Sequence, residues 1–431
     1  MGEYILAYDI GTGYTKAALL DLKFNVLSVK TYAYEVYFPR KGYAEQDPLD
    51  WWKAVVKTTD GIINEIGVSP KEISALVFTA QMMSTVPVDK DGNPLMRSMI
   101  WMDTRAADIA KKIIGSGVLK VSGYNLMTLL MFLRITGGAP GLAGKDVLPK
   151  ILWVKYNMSD IYEKTYKFLD CKDFLIMKTT GNPVTTKDTA GVTWMMDTRP
   201  GRHGWSKKIL KKYGVDESKL PDIIESTDIA GELTEEAAEE LGLVKGIPVI
   251  GGAGDFPSNA VGSGAVKEKE YHIYIGTSIL TGAHVKKRIT DVSHYMGSIL
   301  SAIPDRYLFV SEQETGGACL DWVKHNFFRK EEEEMGEKVY ELFDKIAGKI
   351  PVGSEGLIFT PWICGEKTPI DDETVRGLFY NLSAEHTRDH AVRAAMEGVA
   401  FEAYWALFYM MKHTGKISWI NFVGGGALRR T

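Results

Sequence analysis

One short hairpin is written twice in this chain, and it limits the possible folds more than any other feature. Residues 5–21, ILAYDIGTGYTKAALLD, and 272–285, HIYIGTSILTGAHV, each set Ile-Gly-Thr between apolar, strand-like runs. Small residues at such a turn let backbone N–H groups approach an anion, and the hydroxyls of Thr12 and Thr15 can add donors. Two such turns, one in each half of the chain, can grip a polyphosphate from two sides. The copies differ at one informative place: Asp9 precedes Ile10, whereas Tyr274 precedes Ile275. Only the first can attract Mg2+, which favours carboxylate, water and phosphate oxygens. Neither of the usual phosphate loops is present. Lys16 stands where a dinucleotide fingerprint needs its third glycine, and G-x-x-x-x-G-K-S/T occurs nowhere. A strand follows the turn, so its glycines join two strands; an ordinary hairpin with a buried aspartate is the alternative.

Further along, Asp47-Pro48 predicts a helix start, with Asp as cap and Pro at the first helical position, and Leu49 to Gly67 keeps helical periodicity. Ile73 to Thr79 reads as a buried strand, Thr85 to Asp89 as a shorter one, and a helix follows Trp101-Met102-Asp103-Thr104-Arg105. Tight turns between the first three strands imply a mixed α/β layer, not a doubly wound parallel sheet. Thr136 to Gly141, rich in glycine, predicts a mobile loop or plain linker. A chain of 431 residues exceeds one core, and its halves are expected as domains over 1–250 and 251–431. A net charge of -4 offers no electrostatic case for nucleic acid or anionic membrane. Three scattered cysteines, no signal-like N-terminus and no bilayer-length apolar run point to the cytoplasm.

A longer series of motifs narrows the class. GYAEQDPLDWW (42–52), MIWMDTRA (99–106), PVIGGAGD (248–255), YIGTS (274–278), GGACLDW (316–322), RGLFYNLSAEHTRDHAVRAAMEGVAFE (376–402) and FVGGGA (422–427) follow one another along nearly the whole chain. In this order they resemble the FGGY carbohydrate kinases, and among them the xylulose (pentulose) kinases, within the actin-like ATPase superfamily. The resemblance implies an α/β fold of two actin-like (ribonuclease H-like) domains, with mixed sheets flanked by helices and a cleft between them. It implies ATP and Mg2+ as cofactors and a small sugar or polyol as acceptor, with no nucleic acid or membrane partner and a homodimer as a possible assembly.

Individual roles follow from matching motif positions. Asp255 closes Gly251-Gly252-Ala253-Gly254, where small neighbours admit substrate and a carboxylate can accept a hydroxyl proton; the family's base occupies this position. Asp9 would orient Mg2+ through water. Thr12, Gly13 and Lys16 would face phosphates from the first domain, and Gly276 and Thr277 from the second. Gly316, Gly317, Gly424, Gly425 and Gly426 match positions that admit adenosine. Sugar recognition would involve Gln81, Met82, Met83, Trp101, Asp103 and Phe256, with Asp103 on paired hydroxyls and Trp101 as a stacking face; a helix cap and a core residue are the alternatives for those two. Xylulose kinases usually carry Gln-Met-His where this chain has Gln81-Met82-Met83, and a polar residue where it has Phe256. The more apolar pocket suggests an unusual or deoxy sugar. Glycerol kinases carry Gln-Arg-Glu at that triplet, which argues against glycerol. Family members continue past the Gly-Gly-Gly-Ala motif, so the second domain is expected to be incomplete at its C-terminus, leaving the apolar face of 391–411 poorly covered. A catalytically silent sugar- or nucleotide-binding regulatory relative is the alternative function. His386 and His390, on a helix expected to be capped by Ser383, lack a third zinc ligand. Phe401, Tyr404, Trp405, Phe408 and Tyr409 fall at helical spacing, as core or subunit contact.

Overall fold

Every second residue of β1 (Tyr4–Ile10) and β2 (Tyr14–Asp21) is buried, Leu6, Tyr8 and Ile10 on one and Thr15, Ala17 and Leu19 on the other. That alternation commits one face of the hairpin to a core and fixes its register. The computed structural model describes residues 2–428. It divides into a unit that runs to Ser258 and includes Ile299–Asp305, and another of Asn259–Ser298 with Arg306 onward.

In the first unit β3 (Val26–Ala33) completes an antiparallel triplet. The chain crosses through α1 (Pro48–Ile66) to β4 (Ile73–Ala80), which lies parallel to β1. As expected, the Asp47 carboxylate accepts the Leu49 N–H at 2.9 Å, and a left-handed Gly67 ends the helix. α1 buries Trp51, Val55, Thr58, Thr59 and Ile62 against the sheet. There the Tyr8 hydroxyl and Thr59 bond at 2.7 Å while the Tyr8 ring stacks on Phe78. Two later helices, α2 (Val147–Asn157) and α3 (Cys171–Thr180), bear on the site. The sheet ends with β5 (Ile229–Glu232) and β6 (Pro248–Gly254), in the order β5-β6-β4-β1-β2-β3 with β6 parallel to β4. The helix α4 (Asp255–Gly262) starts where β6 stops.

The second unit repeats this plan. Strands β7 (Glu270–Ile275), β8 (Ile279–Val285) and β9 (Tyr307–Gln313) run antiparallel. After α5 (Ala318–Phe327) and α6 (Arg388–Thr414) comes β10 (Trp419–Val423), parallel to β7 as β4 is to β1. Each Ile-Gly-Thr therefore occupies the first hairpin of the same strand, strand, strand, helix, strand order. The tips differ, since Ile10 pairs with Thr15 but Ile275 with Ile279.

Several expectations change. Thr15 is fully buried within β2, so its hydroxyl is directed into the core and does not face an anion. The short strand is only Val86–Val88, paired with Lys167–Leu169. Residues 136–141 are tied down: Gly137 caps the preceding helix in the left-handed conformation, and the Gly141 N–H bonds the Asp146 carboxylate at 2.7 Å. Thr387, not Ser383, caps α6. Phe401, Tyr404 and Phe408 are exposed, not core. Cys171 and Cys319 are buried, and all three thiols are free. Among the described residues no helix is long and apolar enough to cross a membrane.

Within the second unit, Glu366 and Glu402 are both buried and meet carboxyl to carboxyl. Burial, then the hydrogen bond to Glu366 and its charge, push the Glu402 carboxyl up to about 11. A raised folded-state value gives stability that is complete below the unfolded value of 4.5 and lost as pH climbs toward the folded one. Glu402→Gln, which keeps a hydrogen bond without needing the proton, is expected to remove this slope. Melting scans at pH 5 and pH 9 check it: the variant should gain several degrees over the parent at pH 9 and little at pH 5.

Candidate active site

The parallel strands of the first unit end together. Ile10 of β1 pairs with Ala80 of β4, and Ala80 with Gly254 of β6. The residues that follow them, Gly11-Thr12, Gln81-Met82 and Asp255, emerge side by side at the carboxyl edge of one sheet, where open α/β sheets bind ligands.

How Asp255 is aimed depends on a bulge. The β6–β4 register shifts between Ile250 and Ala253, and Gly252 sits there with φ +64°. A Cβ at this glycine would lie 2.0 Å from the Phe78 carbonyl oxygen, so only glycine lets β6 approach β4 and turn its end. The next contacts fix Asp255 itself. The Gly254 N–H donates to the fully buried Asp188 at 2.7 Å, and Met82 lies directly against Gly254. One Asp255 oxygen accepts the Phe256 N–H at 2.7 Å.

Electrostatics set this carboxylate apart. Burial pushes the Asp255 carboxyl up to about 6; the Phe256 N–H opposes the shift and the negative charge of Asp9 adds to it. Asp9 is also raised by burial, against the pull of Lys16, its cross-strand partner. Two mutually repelling, half-buried carboxylates fit a divalent cation, whose charge would relieve both.

Around them runs a hydrogen-bonded chain. The Thr12 hydroxyl accepts from Trp101 Nε1 at 3.0 Å and donates to Gln81 Oε1 at 3.4 Å. Gln81 Nε2 donates at 2.6 Å to Gln46 Oε1, which also accepts from Trp51, while Gln46 Nε2 donates at 2.6 Å to the Thr12 carbonyl. Gln81, Met82, Trp101, Phe256, Thr12 and Asp255 thus belong to one constellation with Gly13 at the hairpin tip. Lys16 is an exposed strand residue over the Tyr14 ring. Asp103 is a correction. Its fully buried carboxylate takes the Arg105 guanidinium at 2.7 Å and the Ala44 N–H at 2.8 Å, so its oxygens are occupied within the protein, and Ala106 holds the helix-cap position. Gln46 and Asp188 join this candidate site through their hydrogen bonds to Thr12, Gln81 and Gly254, and sequence reasoning missed both. Gln46 lies in the EQDP stretch without any chemical signature, and Asp188 is revealed only by folding.

In the second unit, Gly276 and Thr277 form the hairpin tip, and their carbonyls accept from the Gly317 and Gly316 N–H groups at 2.7 and 2.8 Å. Gly424 has φ +87°, and a Cβ there would meet the Ile275 carbonyl oxygen at 2.7 Å. Gly426 also packs on Ile275. All five expected glycines, counting the exposed Gly425 between these two, therefore gather on one hairpin.

Comparison with known proteins identifies the family. Residues 4–262 match the N-terminal domain, and 272–431 the C-terminal domain, of the FGGY family of carbohydrate kinases. The chain is an FGGY carbohydrate kinase. A xylulose kinase of Lactococcus lactis subsp. lactis (strain IL1403) is 30% identical over 98% of this chain and 80% of its own length. A gluconokinase of Bacillus subtilis (strain 168) is 29% identical over 99% of this chain and 81% of its own. The ligand-bound xylulose kinase of Lactobacillus acidophilus superposes with a TM-score of 0.84 at 26% identity, covering 98% of this chain and 81% of that one. The FGGY kinase is thus an ATP-dependent phosphotransferase with the two-domain mixed α/β fold of actin-like kinases.

Proposed function

We propose that the chain transfers the terminal phosphoryl group of ATP to a hydroxyl of a small sugar or polyol, a pentulose such as xylulose before others, in the cytoplasm. The observation that carries this reading is the common end of β1, β4 and β6, which sets Asp255 beside Gln81 and Met82. Asp255 accepts the proton of the attacking hydroxyl, and its raised carboxyl is a stronger base than an ordinary aspartate. Trp101, 38% exposed, offers a ring face for the sugar, with Met82 and Phe256 completing an apolar wall, while the buried Gln81, bonded to Gln46 and Thr12, holds the turn in place beneath them. Met83 forms part of the same turn. Asp103 orders the Trp101 turn through Arg105 without touching the sugar. Mg2+, when bound, neutralises phosphate charge and draws on Asp9. Thr12 and Gly13 offer the hairpin tip of the first unit to phosphate, with Lys16 nearby; within the second unit, Gly276 and Thr277 form the corresponding tip, and Gly316, Gly317, Gly424, Gly425 and Gly426 give a nucleotide a flat floor there.

ADP release measured across pentuloses, hexuloses, deoxy sugars, polyols and gluconate tests the proposal. Turnover on a pentulose, absent in Asp255→Ala, is expected. Folded protein silent on every compound, with Asp255→Ala indistinguishable from the parent, would turn the assignment to a non-catalytic regulatory relative. Asp9→Asn should raise the Mg2+ concentration needed for half-maximal rate by about tenfold or more while leaving sugar KM near the parent value.

A further inference from the structure

Met83 holds a left-handed backbone, φ +63°, which a side chain other than glycine occupies only when its surroundings impose it. Two buried charged groups impose it. Its N–H donates to Asp170 Oδ2 at 2.9 Å, and the next N–H, of Ser84, to Asp170 Oδ1 at 2.9 Å. Its carbonyl accepts from Lys150 Nζ at 2.8 Å. The same ammonium donates at 2.8 Å to the carbonyl of Ile100, the residue before Trp101.

Both groups sit on rigid elements. Lys150, with no exposed surface, projects from α2, and Asp170 is the N-cap of α3, where its carboxylate also takes the Cys171 N–H. Burying an ammonium and a carboxylate is costly, and neither Lys150 nor Asp170 forms part of the site's constellation. Burial draws the Lys150 ammonium down to about 8 against the pull of Asp103, Asp146 and Asp170, and pushes the Asp170 carboxyl up to about 7, with Asp173 adding to the rise. The chain tolerates that cost at the point where two turns, 81–84 and 100–101, must be joined.

We infer that Lys150 and Asp170 are positioning residues that lock the 81–84 turn and the Trp101 turn into one sugar-receiving surface. The inference rests on assigning those turns to the sugar. Lys150 acts as a two-headed pin between the turns, while Asp170 holds the strained side of the first. Without the pin, Met83 relaxes toward an ordinary backbone and Gln81, Met82 and Trp101 lose their common alignment.

Steady-state kinetics of Lys150→Met with D-xylulose and Mg-ATP test it. The expected result is a sugar KM raised about tenfold to a hundredfold, with ATP KM and kcat at saturating sugar within about threefold of the parent. A residue that only supported the fold would lower the active fraction, and so kcat, without moving sugar KM. Should Lys150→Met not fold, the isosteric Asp170→Asn takes its place, with a smaller rise in the same constant. Sugar KM within twofold of the parent in the folded variant overturns the inference. Asp255→Asn assayed alongside keeps the two readings apart. Turnover near the parent's in that variant would sink the functional assignment, whereas a severely slowed Asp255→Asn beside an unmoved sugar KM would sink only the pin.

Discussion

Asp255→Asn is expected to cut kcat/KM by about 10²–10⁴ while the sugar still binds, because only the proton acceptor is removed and the shape is kept. The parent should show an acidic limb in kcat/KM centred near 6, the value to which burial first, and the Asp9 charge after it, push the Asp255 carboxyl. Below that pH the base is protonated and the rate falls tenfold per unit. Stability has the opposite preference. An acid raised in the folded state contributes stability that is complete below its unfolded value of 3.8 and lost above about 6, so Asp255→Asn should melt higher than the parent at pH 8 in chelator. A variant that is slower and yet more heat-stable is the signature of a carboxylate retained for chemistry. An acidic limb near 4, or a variant of unchanged kcat/KM, would remove Asp255 from the role of base.

Gly252→Ala is expected to cost at least about 3 kcal/mol of unfolding free energy and nearly all activity. A left-handed alanine is strained in itself, and its Cβ would sit 2.0 Å from the Phe78 carbonyl oxygen, a backbone atom held within β4. Relief requires β6 to move off β4, and Asp255 follows β6 by a single residue. Denaturant unfolding monitored by tryptophan fluorescence, together with turnover, checks both effects. An unmoved midpoint with parental turnover would show that the bulge does not aim the base. Gly254 is a second sensitive position, since a Cβ there meets Met82, but a flexible side chain can yield where a backbone carbonyl cannot.

Features encoded within a few residues were legible from sequence. The cap Asp47, Pro48 and the stop Gly67 define α1 by local chemistry, and period-two burial defines β1 and β2. The two Ile-Gly-Thr hairpins were legible because they repeat, and the strand and helix order around each repeats as well. Contacts between distant segments were not. Asp103 has the composition of a sugar ligand, but Arg105 stands two residues on and claims it, a choice made by burial and not by spacing. Thr15 follows the turn glycines closely enough to suggest an anion contact, yet strand alternation turns it inward. Lys150, Asp170 and Asp188 lie in stretches of ordinary helical composition, and their partners at Met83, Ser84, Ile100 and Gly254 are dozens of residues away. The exposed aromatic face of α6 shows the converse, a helical period that folding alone leaves uncovered.

The bridge formed by the Thr12 hydroxyl bears on redesign of this enzyme. Gln81 and Trp101 both lean on that one oxygen, and Gln46 grips the carbonyl of the same residue. Substitution at 81 or 101, within the turns proposed to receive the sugar, will therefore loosen the first hairpin as well, so a change in one property arrives tied to a change in the other. Position 83 escapes that bond: its side chain packs on the cluster containing Leu148 and Ile151, and its backbone is moored elsewhere. Substitutions there act on core packing and on the strained 81–84 turn, and leave the bond to Thr12 untouched.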